Sequence, residues 1–97
     1  MKRKLMGESS GNVILDVGFP PEEAQHLLIR AELMHRLREV VRKRKLTQAR
    51  AAKIFDVTQP RVSDLMRGHI DKFSIDGLIQ MLANAGLRVT FHVKSAA

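Results

Sequence analysis

The sequence predicts an all-α domain of four to five helices followed by a C-terminal β-strand, and three observations lead to this fold class. The chain has 97 residues, of which 44% are hydrophobic, enough for one compact core and too few for two ordinary domains. Apolar residues recur at helical spacing along most of the chain and then alternate strictly near its end. The chain has no cysteine, so packing has to hold the fold without disulfides or zinc knuckles.

Residues 1–12 are polar, basic and rich in glycine and serine, which predicts a flexible N-terminal arm. A single domain is expected over residues 13–97. It opens with the short apolar run 13–17, which could be a strand or an extended segment packed on the domain. No stretch has the apolar length of a signal peptide or a membrane span, so we expect a cytoplasmic protein.

A long first helix is predicted to begin at Pro21, because proline suits the first turn and the carboxylates of Glu22 and Glu23 complement the helix dipole. Apolar residues then continue at helical spacing to about Lys43. They are Ala24, Leu27, Leu28, Ala31, Met34, Leu37 and Val41, with Ile29, Leu33 and Val40 widening the stripe. A helix of that length is long for a small domain, so its first half could instead be a separate helix or an extension that contacts a partner.

Residues 47–68 have the residue types of two short helices joined by a tight turn, that is, a helix-turn-helix. Alanines in the first of these helices would let the second cross it closely. The expected elements are the cap Thr47, a helix over 48–55, the turn 56–58 with the second cap Thr58, a helix over about 59–67, and Gly68 as its left-handed end.

The second of these helices turns Val62, Leu65 and Met66 inward by their spacing of three and four, and leaves polar side chains outside. Amide, guanidinium and hydroxyl groups are the donors and acceptors that read base edges in the DNA major groove. The candidate base-reading residues are Gln59, Pro60, Ser63, Asp64 and Arg67. Alternatively, Arg61, Asp64 and Arg67 only pair with one another on a solvated face.

The charge of the chain favours the same interpretation. Its net charge of +7 and pI near 10.6 favour a polyanionic partner, with nucleic acid the commonest and a membrane surface the alternative. The basic run 42–45 complements the end of the first helix and could also lie on phosphates. The candidate phosphate contacts are Thr47, Gln48, Lys53, Thr58, Arg61, Arg44 and Lys45.

The last part of the chain predicts one more helix and then a strand. The helix is expected between the cap Ser74 and the terminator Gly86. Residues 87–94 alternate, which predicts a half-buried strand with Leu87, Val89, Phe91 and Val93 on its apolar side. Because a single strand cannot satisfy its own backbone, it must pair with residues 13–17, with its own copy across a two-fold axis, or with another protein.

On these residues the chain resembles the lambda-repressor/Cro-like helix-turn-helix family. The resemblance spans about 20 positions and is carried by Leu46-Thr47-Gln48, Ala52, Val57-Thr58-Gln59 and Val62-Ser63. It implies that Gln48 touches phosphate and braces Gln59, which reads a base. Asp56 departs from the glycine that the family usually has at the turn, although Asp tolerates positive φ better than most side chains.

The wider layout is similar to small bacterial repressors of the Xre type and, among them, to HigA-type antitoxins. It is carried by the SSGN segment, the DVGFPPEEA lead into the first helix, the helix-turn-helix, and the DKFSIDGLIQMLANAGLRVTFHV end. This resemblance implies a transcriptional repressor that binds a palindromic operator as a homodimer. As the alternative, it implies an antitoxin that neutralises an mRNA-cleaving toxin by protein binding and uses DNA binding for autoregulation.

Enzymatic chemistry finds little support in the sequence. The histidines lie far apart, without metal-ligand spacing or a nucleophile motif; they are His26, His35, His69 and His92. We therefore expect no enzyme, no metal and no cofactor. The expected partners are double-stranded DNA, a second copy of the chain and, in the alternative, a small toxin.

Overall fold

The computed structural model describes residues 21–95, so the predicted arm at residues 1–12 and the apolar run at residues 13–17 lie outside the described part. The elements, in order, are α1 (Pro21–Lys43), α2 (Gln48–Phe55), α3 (Gln59–Met66), a 3-10 helix (Ile70–Lys72) and α4 (Ile75–Asn84). Within the described residues the fold is all-α with four α-helices, as the sequence predicts.

The first helix, α1, is a single unbroken helix of 23 residues, so the alternative of two separate helices is wrong. Most of its buried residues lie in its second half; they are Ala24, Leu33, Met34, Leu37, Val40 and Val41. In the first half, Leu27, Leu28 and Ile29 are only half-buried. The other described elements therefore cover the second half of α1 more completely than the first.

The hydrophobic core lies where the four helices meet. Helix α1 packs along α4, and α2 packs across α3. Ala51 and Ala52 of α2 are buried, and their small side chains allow the close crossing that the sequence predicts. The largest fully buried side chains are Phe55, Met34, Leu37, Leu65, Leu78 and Val62. Burial of this apolar surface, at about 25 cal/mol per Å², is the main force that holds the helices together.

All four α-helices end in the same way. In each, the N–H of a residue with positive φ bonds three residues back, and the following N–H bonds five residues back, which is the Schellman motif. The left-handed residues are Lys45 (φ 53°), Asp56 (φ 59°), Gly68 (φ 77°) and Gly86 (φ 86°). The sequence predicts the two glycines and the tolerance of Asp56, whereas it does not predict the left-handed lysine.

The predicted C-terminal strand is not formed within the described chain. Residues 87–94 follow α4 without any strand assignment. Val89 alone of the predicted apolar side is half-buried against the core, while Leu87, Phe91 and Val93 are 39%, 61% and 96% exposed. The predicted half-buried strand is therefore not seen within residues 21–95. The physical reason is that a strand needs a hydrogen-bonded neighbour, and no second strand exists among residues 21–95.

Candidate nucleic-acid interface

The two helices of the predicted helix-turn-helix begin at capped ends. The Thr47 hydroxyl oxygen accepts from the Arg50 backbone N–H at 3.1 Å, and the Thr58 hydroxyl oxygen accepts from the Arg61 N–H at 3.3 Å. Pro60 lies in the first turn of α3, where its missing N–H costs no helical hydrogen bond. The caps and both helix bounds thus agree with the sequence analysis, to within one residue at the end of α3.

The turn between α2 and α3 depends on Asp56 and on a side chain from α4. Asp56 lies in the left-handed region at φ 59° and ψ 50°, which an aspartate adopts at lower cost than most side chains. The side-chain amide of Asn84 donates to the Phe55 carbonyl oxygen at 2.8 Å. That carbonyl is one of the last in α2 and has no helical partner of its own. Asn84 therefore fixes the end of α2 just before the turn.

Helix α3 has one buried and one exposed side, as its spacing predicts. Val62 and Leu65 are fully buried. Gln59 and Pro60 are exposed at its start, Ser63 is half-buried in its middle, and Arg67 is exposed at its end. The exposed side therefore carries an amide at one end and a guanidinium at the other, which are the groups suited to adenine and guanine edges.

Asp64 pairs with a residue outside the predicted set Arg61, Asp64 and Arg67. Its carboxylate lies 3.3 Å from Nδ1 of His69. The same two residues occupy the positions that form an apolar contact in most Schellman motifs, so a polar pair replaces that contact at the end of α3. The proposed pairing among Arg61, Asp64 and Arg67 is not seen.

The Arg61 side chain folds back on its own domain. Its guanidinium donates to the Lys72 carbonyl oxygen and lies over the Phe73 ring, 5.3 Å from the ring centroid. Both contacts link α3 to the segment that follows it. Arg61 is predicted to contact phosphate, yet in the free chain its guanidinium is engaged with the protein.

The remaining candidate phosphate contacts fall into two groups. The Arg44 guanidinium donates to the Ala85 carbonyl oxygen at 3.0 Å, so it is directed at the end of α4. Lys45, Gln48 and Lys53 are exposed. Arg50, which the sequence analysis did not select, is also exposed, and its side chain has no polar partner within residues 21–95.

Two arginines of α1 were missed from the sequence: one contacts the last turn of α3 and the other contacts the segment that follows it. Arg38 donates to the Leu65 carbonyl oxygen at 3.2 Å. Arg30 donates to the Ile70 carbonyl oxygen at 3.2 Å and lies 3.4 Å from that of Phe73. The spacing in the sequence could have identified them, because Arg30 and Arg38 are each four residues from the buried Met34 and so share its side of the helix.

The predicted dimer-strand residues border a groove rather than a sheet. Leu87, Val89 and Phe91 lie on one side of it, and residues of α1, among them Leu33 and Val40, lie on the other. The groove has a volume of about 690 Å³. Val93 lies beyond it and is almost fully exposed.

The described residues contain no cluster of His, Asp or Glu that could hold a metal ion. None of the described helices combines the length and hydropathy that a membrane span requires.

Comparison with known proteins gives one family. A family model described as a helix-turn-helix domain matches residues 13–94. A search of the curated proteins finds no match.

Proposed function

The chain belongs to the helix-turn-helix domain family, and from that premise we propose that it binds DNA. We propose further that it is a sequence-specific transcriptional regulator that acts as a repressor. One observation carries this proposal. Helix α3 packs through Val62 and Leu65 and leaves Gln59 and Arg67 exposed on its outer side. That is the arrangement of a recognition helix that lies in the major groove.

We assign base reading to the outer side of α3. The Gln59 amide can donate to and accept from an adenine edge, and Arg67 can donate twice to guanine. Ser63 and Pro60 lie between them in sequence and provide a hydroxyl and an apolar contact. Asp64 can accept from a cytosine amino group, although His69 competes for its carboxylate.

We assign phosphate binding to exposed groups on α2, just before it, and at the start of α3. These are the predicted residues Thr47, Gln48, Lys53, Thr58 and Lys45, with the addition of Arg50. Arg44 and Arg61 are engaged with carbonyl oxygens in the free chain, so they contribute positive potential and reach phosphate only by exchanging these partners. Cations of this kind supply affinity that does not depend on sequence.

We further propose that the chain acts as a homodimer on a palindromic operator, because one eight-residue recognition helix covers only a half-site. The segment 87–94 supports this proposal. Its apolar and polar residues alternate, and it has no strand partner among residues 21–95. It also contains all of the large exposed hydrophobic residues of the described chain, which are Leu87, Phe91 and Val93. Pairing with the same segment of a second copy would complete the strand and bury these side chains.

The alternative is an antitoxin that binds a small toxin, with DNA binding serving autoregulation. Its support is the resemblance to HigA-type antitoxins together with the half-buried residues Leu27, Leu28 and Ile29 on α1, which a protein partner could cover. Either activity would place the protein in the cytoplasm. Loss of DNA reading with retained capture of a protein partner would favour this alternative.

The proposed function is tested by selection of duplexes from a random DNA library, followed by titration of the enriched duplex and a scrambled duplex over a range of salt. We expect the wild-type chain to prefer the enriched duplex by about a thousandfold. The double variant Gln59→Ala, Ser63→Ala should lose roughly 1–3 kcal/mol for each base contact removed. Gln25→Ala, which removes an exposed amide from α1, is the matched control and should bind as the wild type does. Equal binding of both duplexes by the wild type would refute sequence-specific reading.

A further inference from the structure

Three arginine side chains converge on the last turn of the proposed recognition helix and the segment that follows it. Arg38 reaches the Leu65 carbonyl oxygen, and Arg30 reaches that of Ile70. Arg61 reaches the carbonyl oxygen of Lys72. Guanidinium groups therefore donate hydrogen bonds to the segment 65–73 at its start, middle and end. Two of these groups come from α1, which is the longest element of the described chain.

The Arg38 contact is directed at a carbonyl that the helix itself cannot satisfy fully. Leu65 is fully buried, and its carbonyl oxygen accepts from the Gly68 N–H at 3.1 Å within the Schellman motif. Arg38 adds a second, charge-assisted hydrogen bond at 3.2 Å, which is stronger than a bond between neutral groups. A positive group is also favoured at this position by the dipole of α3.

The position of this contact makes it suited to setting the orientation of α3. The start of α3 is held by the turn and by Thr58, and its buried side packs through Val62 and Leu65, so contacts at its C-terminal end contribute to its tilt. Helix α3 has eight residues and is about 12 Å long. A tilt of about 10° around its start would move its end by about 2 Å, whereas functional groups must be held to within about 0.5 Å and 10–20°.

We propose that Arg38 is a positioning residue for base reading, which holds the end of α3 so that Gln59 and Arg67 reach the same groove together. Arg30 supports it by fixing the following turn. The proposal rests on the proposed function, since it concerns the same recognition helix. It assigns to Arg38 an effect on specificity without any contact with DNA.

This role predicts a result different from that of a phosphate contact. Loss of a phosphate contact weakens binding to all duplexes alike and lowers the salt slope, d log K/d log [salt], by roughly one. Loss of a positioning residue weakens only the binding that depends on base contacts. The salt slope and the binding of scrambled DNA then stay unchanged.

The test compares Arg38→Met with Arg36→Met. Each variant removes one positive charge from α1, but Arg36 is exposed and pairs only with Glu39 among the described residues. The probes are the duplex enriched by the wild type from the random library and a scrambled duplex of equal length. All titrations are made well below the melting temperature of each variant, after circular dichroism has shown that it is folded.

We expect Arg38→Met to bind the enriched duplex about five- to a hundredfold more weakly, the range of one base contact, and to bind scrambled DNA as Arg36→Met does. Equal binding of the enriched duplex by the two variants would overturn the proposal. So would a parallel loss on both duplexes with a lower salt slope, which would make Arg38 a phosphate contact.

A second variant covers the case in which Arg38→Met does not fold. Arg38→Lys keeps the positive charge and a hydrogen-bond donor, but on a side chain of different length. It should weaken binding of the enriched duplex relative to scrambled DNA, to a smaller extent than Arg38→Met. An unchanged ratio of the two affinities would count against the proposal. Failure of the proposed function is a separate outcome, because in that case the wild type itself would enrich no duplex.

Discussion

Replacement of Lys45 by glycine should stabilise the domain, although it removes a lysine from a basic run. Lys45 has φ 53° and is the left-handed residue of the Schellman motif that ends α1. Its N–H bonds the Arg42 carbonyl oxygen at 3.1 Å, and the Leu46 N–H bonds that of Val41 at 2.9 Å. The left-handed conformation costs an ordinary L-residue roughly 1–2 kcal/mol, and glycine does not incur this cost.

The magnitude follows from two opposing terms. Glycine relieves the left-handed cost of roughly 1–2 kcal/mol, but it loses about 0.5–1 kcal/mol more through its greater freedom in the unfolded chain. The side chain of Lys45 is exposed, so little packing is lost. Relative to Lys45→Ala, which also removes the charge, Lys45→Gly should therefore be more stable by about 0.5–1 kcal/mol. For a domain of this size that corresponds to a rise in Tm of roughly 2–8 °C.

The assay is urea unfolding followed by circular dichroism, for the wild type, Lys45→Gly and Lys45→Ala. Gly86→Ala provides the converse control, because Gly86 has φ 86° and an added Cβ would meet no atom within 4 Å. Its loss of stability, about 1 kcal/mol, would then come from the backbone alone. The reasoning is refuted if Lys45→Gly is no more stable than Lys45→Ala while Gly86→Ala shows its expected loss.

Two further predictions concern other parts of the domain. Asn84→Ala should lower the free energy of unfolding by about 1 kcal/mol, because the Phe55 carbonyl loses its 2.8 Å partner while the helix gains only a little propensity. Gln80→Ala, which loses only an exposed bond to Asn84, should change it less when both are measured by urea unfolding. If the proposed dimer forms through segment 87–94, Phe91→Asp should shift it to monomer in sedimentation equilibrium, since it charges an exposed apolar side chain; a dimer that persists would exclude this segment as the interface.

The local signals in this sequence predict the helix-turn-helix well. Threonine caps and glycine ends depend on hydrogen bonds between residues close in sequence, so Thr47, Thr58 and Gly68 can be assigned without tertiary information. The bounds of α2 follow from them directly. The left-handed Lys45 was not predicted, because its residue type gives no indication of positive φ and the tight connection between α1 and α2 imposes it.

The roles of the arginines could not be predicted in the same way. Arg44 and Arg61 have the residue type and sequence position of phosphate contacts, yet their guanidinium groups bond the carbonyl oxygens of Ala85 and Lys72. Which carbonyl lies within reach depends on how the helices cross, and composition contains no information on that. Net charge therefore indicates a class of partner, but it contains no information on which cation would contact that partner.

The predicted strand shows a different limit. The alternation of apolar and polar residues over 87–94 favours a strand with one apolar side. A strand forms, however, only beside a second strand that satisfies its backbone hydrogen bonds. The described chain provides a groove beside Val89 and no second strand. The sequence pattern is thus compatible with pairing to a second copy, which the Phe91→Asp experiment examines.

Helices α2 and α3 have eight residues each, and isolated helices shorter than about 12–15 residues are marginal in water. Helix α3, the proposed recognition helix, thus depends on the assembled core to remain helical. On the proposed function, apparent affinity for DNA should then be proportional to the folded fraction of the protein, even for substitutions far from DNA. A screen for variants that bind DNA poorly would consequently recover substitutions at core positions such as Leu37 or Leu78 as well as at Gln59. A melting curve for each variant would distinguish loss of a base contact from loss of the fold.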